Sequence, residues 1–201
     1  MKEMFVVASN MSSFDKRFPV FLKGIPDNKK SKFLFVVGGS DVESQTEEKG
    51  ITIRYVEDSS FEYTPLIDLI KHPSIYADKI FLLYDTCGLG ESFFKKVDVE
   101  MGNLQSIAVD SDSESLGWLS KDFILSKKNF ILSMENCTKG ECKANRGKLF
   151  KIAGRKSSFA LDKKVFPKKE IYKEELSTVV LYNSLDLFRY KNTTKITDDD
   201  K

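Results

Sequence analysis

The chain has 201 residues, a hydrophobic fraction of 41%, a charged fraction of 31% and a formal net charge of +2. That mix fits one soluble globular domain with a phenylalanine-rich core, and no apolar run approaches the roughly 20 residues that span a bilayer. A single histidine and three cysteines exclude a His-rich zinc centre and a disulfide framework, and they fit a reducing, cytoplasmic setting.

The N-terminal run MKEMFVVAS is too short for a signal-peptide core and predicts a first strand over Phe5–Ala8. A polar turn follows, and then Phe14, Phe18, Phe21 and Leu22 recur at the spacing of one helix face, predicting a helix over residues 14–23. Gly24 and Pro26 end it. A second apolar strand over residues 32–37 stops at Gly38-Gly39-Ser40-Asp41, and residues 50–56 predict a third. Residues 61–71 predict a helix with Leu66, Leu69 and Ile70 on its inner face. His72 then stands before Pro73, where it faces the C-terminal carbonyls of that helix.

The run KIFLLYDTCGLG over residues 79–90 carries most information. Ile80 to Tyr84 are continuously apolar, as in a strand buried on both faces, and they stop at Asp85. Ligands bind beyond the carboxyl ends of such strands. A carboxylate there either holds a cation on phosphate oxygens or caps the following turn.

Later signals are weaker. Residues 105–109 predict a strand and residues 111–115 an acidic loop, with short apolar clusters at 123–125 and 130–132. Residues 135–156 read as a basic, mobile or poorly packed loop with three glycines. Residues 179–182 predict a strand, 185–190 a short helix and 193–201 a polar tail. Strands alternating with helices predict an α/β fold: a single domain over residues 1–192 with a mixed, mainly parallel central sheet flanked by helices. If its strands are parallel, the turns after Ala8, Val37 and Tyr84 share one edge.

Between Lys139 and Lys173 there are twelve Lys or Arg against three acids. This is either a solvated face or an anion site. Asp110, Asp112 and Glu114 alternate in DSDSE. If the segment is extended, they share a side, as a cation or base site or as a solvated loop. Gly38-Gly39 lacks the rest of a dinucleotide fingerprint. Cys137 and Cys142 form one C-x4-C pair without the four ligands a structural zinc needs.

Three stretches, FVVASNMSS, FLLYDTCGLG and SLGWLSKDFI, together resemble the GT-A type of nucleotide-sugar glycosyltransferases. The resemblance covers about residues 4–130 and is strongest to the small glycosyltransferase domains encoded by large DNA viruses of algae. It implies a GT-A-like fold and transfer of a sugar from a UDP-sugar to a carbohydrate or glycoprotein acceptor, in glycan synthesis on a viral capsid protein in the host cytoplasm. By that implication Ala8, Ser9 and Asn10, with Gly39, Tyr63, Tyr84, Asp85 and Thr86, line the nucleotide. Asp85 matches the first acid of the D-x-D motif that holds Mn2+ or Mg2+, and Arg146, Lys148 and Arg155 neutralise the diphosphate. Asp112 and Glu114 act at the sugar as base or as stabiliser of positive charge. The chain departs from that pattern at Cys87, which stands where the second acid would be, and in having no histidine after His72. A metal would then rely on Asp85, water and the diphosphate itself; the missing second acid favours the alternative, a non-catalytic nucleotide- or polyanion-binding module. A third reading is a hydrolase or nuclease built on the DSDSE carboxylates.

Overall fold

The computed structural model describes residues 2–100, 106–108, 115–145, 155–156, 163–166, 178–182 and 186–191. Its centre is four parallel strands. Strand β1 (Glu3–Asn10) pairs with β2 (Phe33–Gly38) on one side and β5 (Lys79–Tyr84) on the other, and β2 pairs with β4 (Ile51–Val56). The hairpin strand β3 (Ser44–Glu48) closes the β4 edge antiparallel. Beyond β5 lie β8 (Ser115–Ser120), antiparallel to it, then β7 (Ser106–Ala108) and the two-residue β9 (Arg155–Lys156). The order β3-β4-β2-β1-β5-β8-β7-β9 makes a mixed α/β sheet with a parallel centre.

The central strands are continuously apolar because both faces are covered. Successive side chains alternate between two cores. Phe5, Val7, Phe33, Phe35 and Phe81 enter one cluster, with Phe14, Phe18 and Phe21 of α1 (Phe14–Leu22) and Phe93 of α3 (Phe93–Glu100). Val6, Leu34, Val36, Ile80 and Leu82 enter the other, under α2 (Thr64–Lys71), α4 (Lys121–Ser126), α5 (Lys128–Leu132) and α6 (Lys139–Asn145). The first core is an aromatic stack. Phe5 lies 4.9 Å from Phe33, and Phe81 meets Trp118 edge-on at 5.2 Å. Each such pair contributes about 0.5–1.5 kcal/mol beyond its burial.

A second sheet of four antiparallel strands runs β10 (Lys163–Phe166), β11 (Thr178–Tyr182), β12 (Leu187–Lys191) and β6 (Cys87–Leu89). The short helix predicted over residues 185–190 is therefore corrected: that stretch is largely β12, paired with β11 and β6. A six-residue helix is marginal by itself, and strand partners on both sides decide the outcome. The basic loop predicted over residues 135–156 is also corrected in part. It contains α6, whose Cys142 is buried.

Candidate ligand cleft at the strand ends

The chain builds outward from β1 to β2 and β4, then crosses back to place β5 on the other flank of β1. The C-terminal ends of β1 and β5 thus face each other across a topological switch point, where α/β sheets bind ligands. A cleft of about 380 Å³ opens there. Ala8, Ser9 and Asn10 come from β1, and Ser12, Ser13 and Arg17 from the turn and start of α1. Tyr84, Asp85 and Thr86 follow from β5. Phe61 and Glu62 come from the turn before α2, and Lys139 from the start of α6.

Asp85 is buried at the base of this cleft. Its Oδ2 accepts hydrogen bonds from Ser9 Oγ and Ser13 Oγ, each at 2.8 Å, and Arg17 Nε lies 3.9 Å away. Its backbone N–H donates to the Ala8 carbonyl at 3.0 Å. Asn10 Oδ1 in turn accepts from Ser12 Oγ and is the longer alternative acceptor, at 3.2 Å, for the Ser13 hydroxyl, so the turn leading into α1 is held by side chains. The Asp85 carboxylate also sits at the positive end of that helix. Thr86 Oγ1 is buried with no hydrogen-bond partner, a group that a ligand or water would satisfy. The two lining carboxylates, Asp85 and Glu62, are recessed, whereas Arg17 is partly exposed and Lys139 is exposed. The mouth of the cleft is cationic.

Of the residues expected at a nucleotide, Ala8, Ser9, Asn10, Tyr84, Asp85 and Thr86 line this cleft. Gly39 and Tyr63 do not. Gly39 makes a left-handed turn (φ 82°) against Ser59. Tyr63 is a core residue, and its hydroxyl donates to the Asn145 carbonyl at 2.8 Å. Asp112, Glu114, Arg146 and Lys148 lie outside the described residues. Arg155 is on β9, three strands from β5, which is about 14 Å at the usual strand spacing. Arg17, Phe61 and Glu62 are not singled out by the sequence reading, whereas Lys139 opens the basic stretch read there as a solvated face or an anion site. Arg17 carried a usable signal, because the first turns of a helix following β1 face the switch point.

A divalent metal on Asp85 fits this donor set poorly. It would compete with two hydroxyl donors and stand beside the Arg17 guanidinium. Cys87, in the place of the second acid, is buried in the aromatic core.

Among the described residues, one cluster does bring metal-ligating atoms within 4.8 Å of one another: Glu43, Asp68 and His72. Arg54 already occupies it. Its Nε donates to both Asp68 oxygens at 2.9 and 2.7 Å, and Nη2 reaches Glu43 at 3.0 Å. Tyr76 OH donates to Asp68 at 2.6 Å. Burial opposes the charge of Arg54, but Asp68 and Glu43 hold its pKa above the ordinary value. Burial, then the Asp68 charge, push the Tyr76 phenol well above its ordinary range. This is an ion-pair clamp joining β4 to α2. His72 belongs to its rim, with Nε2 3.3 Å from Glu43, so its ring faces carboxylates instead of the expected helix carbonyls.

No family model, curated protein or solved structure matches the chain. Among the described residues no helix is long and apolar enough to cross a membrane.

Proposed function

We propose that the switch-point cleft binds a nucleoside diphosphate sugar and that the protein transfers the sugar to a carbohydrate or glycoprotein acceptor. The observation that carries this reading is the convergence of the β1 and β5 ends with Arg17 and Lys139 on one cleft. The resemblance in FVVASNMSS and FLLYDTCGLG falls on the same strand ends. Transfer makes the diphosphate a leaving anion, and cations placed in advance stabilise the charge that develops on it. Arg17 and Lys139 take that role, aided by the basic stretch that Lys139 opens. Because Asp85 is engaged by Ser9 and Ser13, the cations of the cleft, and not Mn2+ or Mg2+ on Asp85, meet the diphosphate. Asp112 and Glu114 are the proposed groups at the sugar.

The engagement of Asp85 also favours the second reading, a module that binds nucleotides without turnover. A thermal-shift titration with UDP, Mn2+ and both together tests binding. A ligand at 100 times its Kd stabilises by about 2.7 kcal/mol. The first reading expects stabilisation by UDP without added metal, and release of UDP from a UDP-sugar when a glycan acceptor is supplied. Binding without release selects the second reading. No stabilisation by UDP removes both.

A further inference from the structure

Phe61 departs from the use the described core makes of phenylalanine. Phe5, Phe14, Phe18, Phe33 and Phe35 are buried and pack ring against ring at centroid distances near 5–6 Å. Phe61 is 40% exposed and lies on the wall of the cleft. Its backbone adopts φ +53°, the left-handed region that a bulky residue avoids.

The surrounding turn holds that conformation. Ser60 is fully buried, its N–H donates to Thr64 Oγ1 at 2.8 Å, and its hydroxyl donates to Asp58 Oδ1 at 2.6 Å. The Asn136 N–H donates to both Asp58 Oδ1 and Ser60 Oγ. On the other side, the Tyr63 N–H donates to the Ser60 carbonyl at 3.0 Å. Buried hydrogen bonds before and after one strained residue are how a structure over-determines a conformation it uses. The product here is an apolar ring presented to the same space as the cations of Arg17 and Lys139.

From this we infer that Phe61 is the stacking platform for the nucleobase of a nucleoside diphosphate whose phosphates meet Arg17 and Lys139. The inference rests on the nucleotide reading of the cleft. A phosphate or pyrophosphate alone would use the cations and leave the ring idle. A purely apolar ligand would use the ring and leave the guanidinium idle. A nucleotide uses both, and an aromatic platform accepts any base because every base has a π-face.

Calorimetry with UDP and with inorganic pyrophosphate, on the parent and on Phe61→Ala and Phe61→Trp, tests it. The parent should bind UDP more tightly than pyrophosphate. Phe61→Ala should weaken UDP by about ten-fold, within the range measured for base stacking, and leave pyrophosphate unchanged. Phe61→Trp should retain UDP affinity, and its added indole fluorescence should be quenched by UDP and not by pyrophosphate, against the buried Trp118. If Phe61→Ala weakens both ligands equally, the residue only supports the fold and the platform is overturned. The platform alone is also overturned if the parent binds UDP and pyrophosphate alike, or if Phe61→Ala binds UDP as the parent does; the anion cleft then stands. A parent that binds neither ligand overturns the platform together with the nucleotide reading.

Discussion

Ser9 and Asp85 tie the ends of two neighbouring parallel strands together. The Ser9 hydroxyl donates to Asp85 Oδ2 at 2.8 Å across the switch point, and Ser13 at the head of α1 donates to the same oxygen. One carboxylate therefore sets β1, β5 and α1 relative to one another at the floor of the cleft.

Removing that acceptor leaves two hydroxyls and a guanidinium without it. Asp85→Ala should lower stability by about 1–3 kcal/mol, the cost of orphaned polar groups. For a chain of this size that is about 2–4 °C of Tm per kcal/mol. The fold should persist, and UDP binding should weaken because Arg17 loses its anchor. Asp85→Asn keeps one acceptor oxygen and should lose less. Thermal unfolding of both variants checks the order. Equal Tm values for parent and Asp85→Ala would show that the hydroxyl pair is held by other means.

The cationic mouth predicts a salt-sensitive anion site. Arg17→Ala and Lys139→Ala should each weaken UDP and pyrophosphate by about ten-fold, since a charge-assisted hydrogen bond contributes about 1.5–3 kcal/mol and about 1.4 kcal/mol is ten-fold. The loss should shrink as ionic strength rises and the Debye length falls below about 8 Å. Calorimetry at two salt concentrations reads both effects. Affinity unmoved by either change would place the anion elsewhere.

The Arg54–Asp68–Tyr76 clamp predicts a pH dependence. The Tyr76 phenol is raised in the folded protein, so the unfolded chain releases that proton first. Its contribution is fully present below the ordinary phenol range, near pH 10. It is lost as pH rises beyond that range towards the folded value. Urea unfolding between pH 8 and 11 should show the parent losing more stability than Tyr76→Phe over that interval. Removing the other partner is harsher. Asp68→Ala leaves the buried Arg54 Nε–H without its acceptor and the guanidinium with Glu43 as its remaining carboxylate, and should cost up to about 3–5 kcal/mol.

The proposed chemistry at the sugar is carried by Asp112 and Glu114. The double change Asp112→Asn with Glu114→Gln should abolish release of UDP from a UDP-sugar while UDP affinity stays at the parent value. Transfer at the parent rate would return DSDSE to a solvated loop.

The parallel centre was legible because strands buried on both faces leave continuous apolar runs. Each run ended where a polar residue or Gly marks the sheet edge, so the turns after Ala8, Val37 and Tyr84 were expected on one edge; that Ala8, Tyr84 and Asp85 line a nucleotide site was what the resemblance implied, and the turn after Val37 does not reach the cleft. Tyr63 was misplaced, because a 3-10 turn at Phe61–Tyr63 breaks the helical period that would have told which way its ring points. Phe61, two residues earlier, points to the cleft for the same unreadable reason. Arg17 was hidden as one more charge on an amphipathic helix. The second sheet escaped because β6 has three residues and its partners lie some hundred positions away, and local pattern does not encode such pairing.

Gly38 links the fold to the proposed platform. It ends β2, and a Cβ there would meet the Asp58 carbonyl oxygen at 2.5 Å and Ser59 Cα at 3.2 Å. The contact is with backbone, so it cannot be relieved by turning a side chain. Asp58 holds Ser60, and Ser60 precedes Phe61 in the strained turn. Gly38→Ala should therefore push the turn off β2, at a cost of about 1–3 kcal/mol for overpacking, and move the Phe61 ring. Gly39 gives the control. It has φ +82° but no atom closer than 3.7 Å to a new Cβ, so Gly39→Ala meets conformational strain of about 1–2 kcal/mol without displacement. Both variants should melt earlier than the parent. Only Gly38→Ala should lose the preference for UDP over pyrophosphate. The ratio of the two affinities, measured at a temperature where both variants are folded, separates displacement of the turn from loss of stability. A parent-like ratio in Gly38→Ala would mean that the turn absorbs the added methyl without moving the ring.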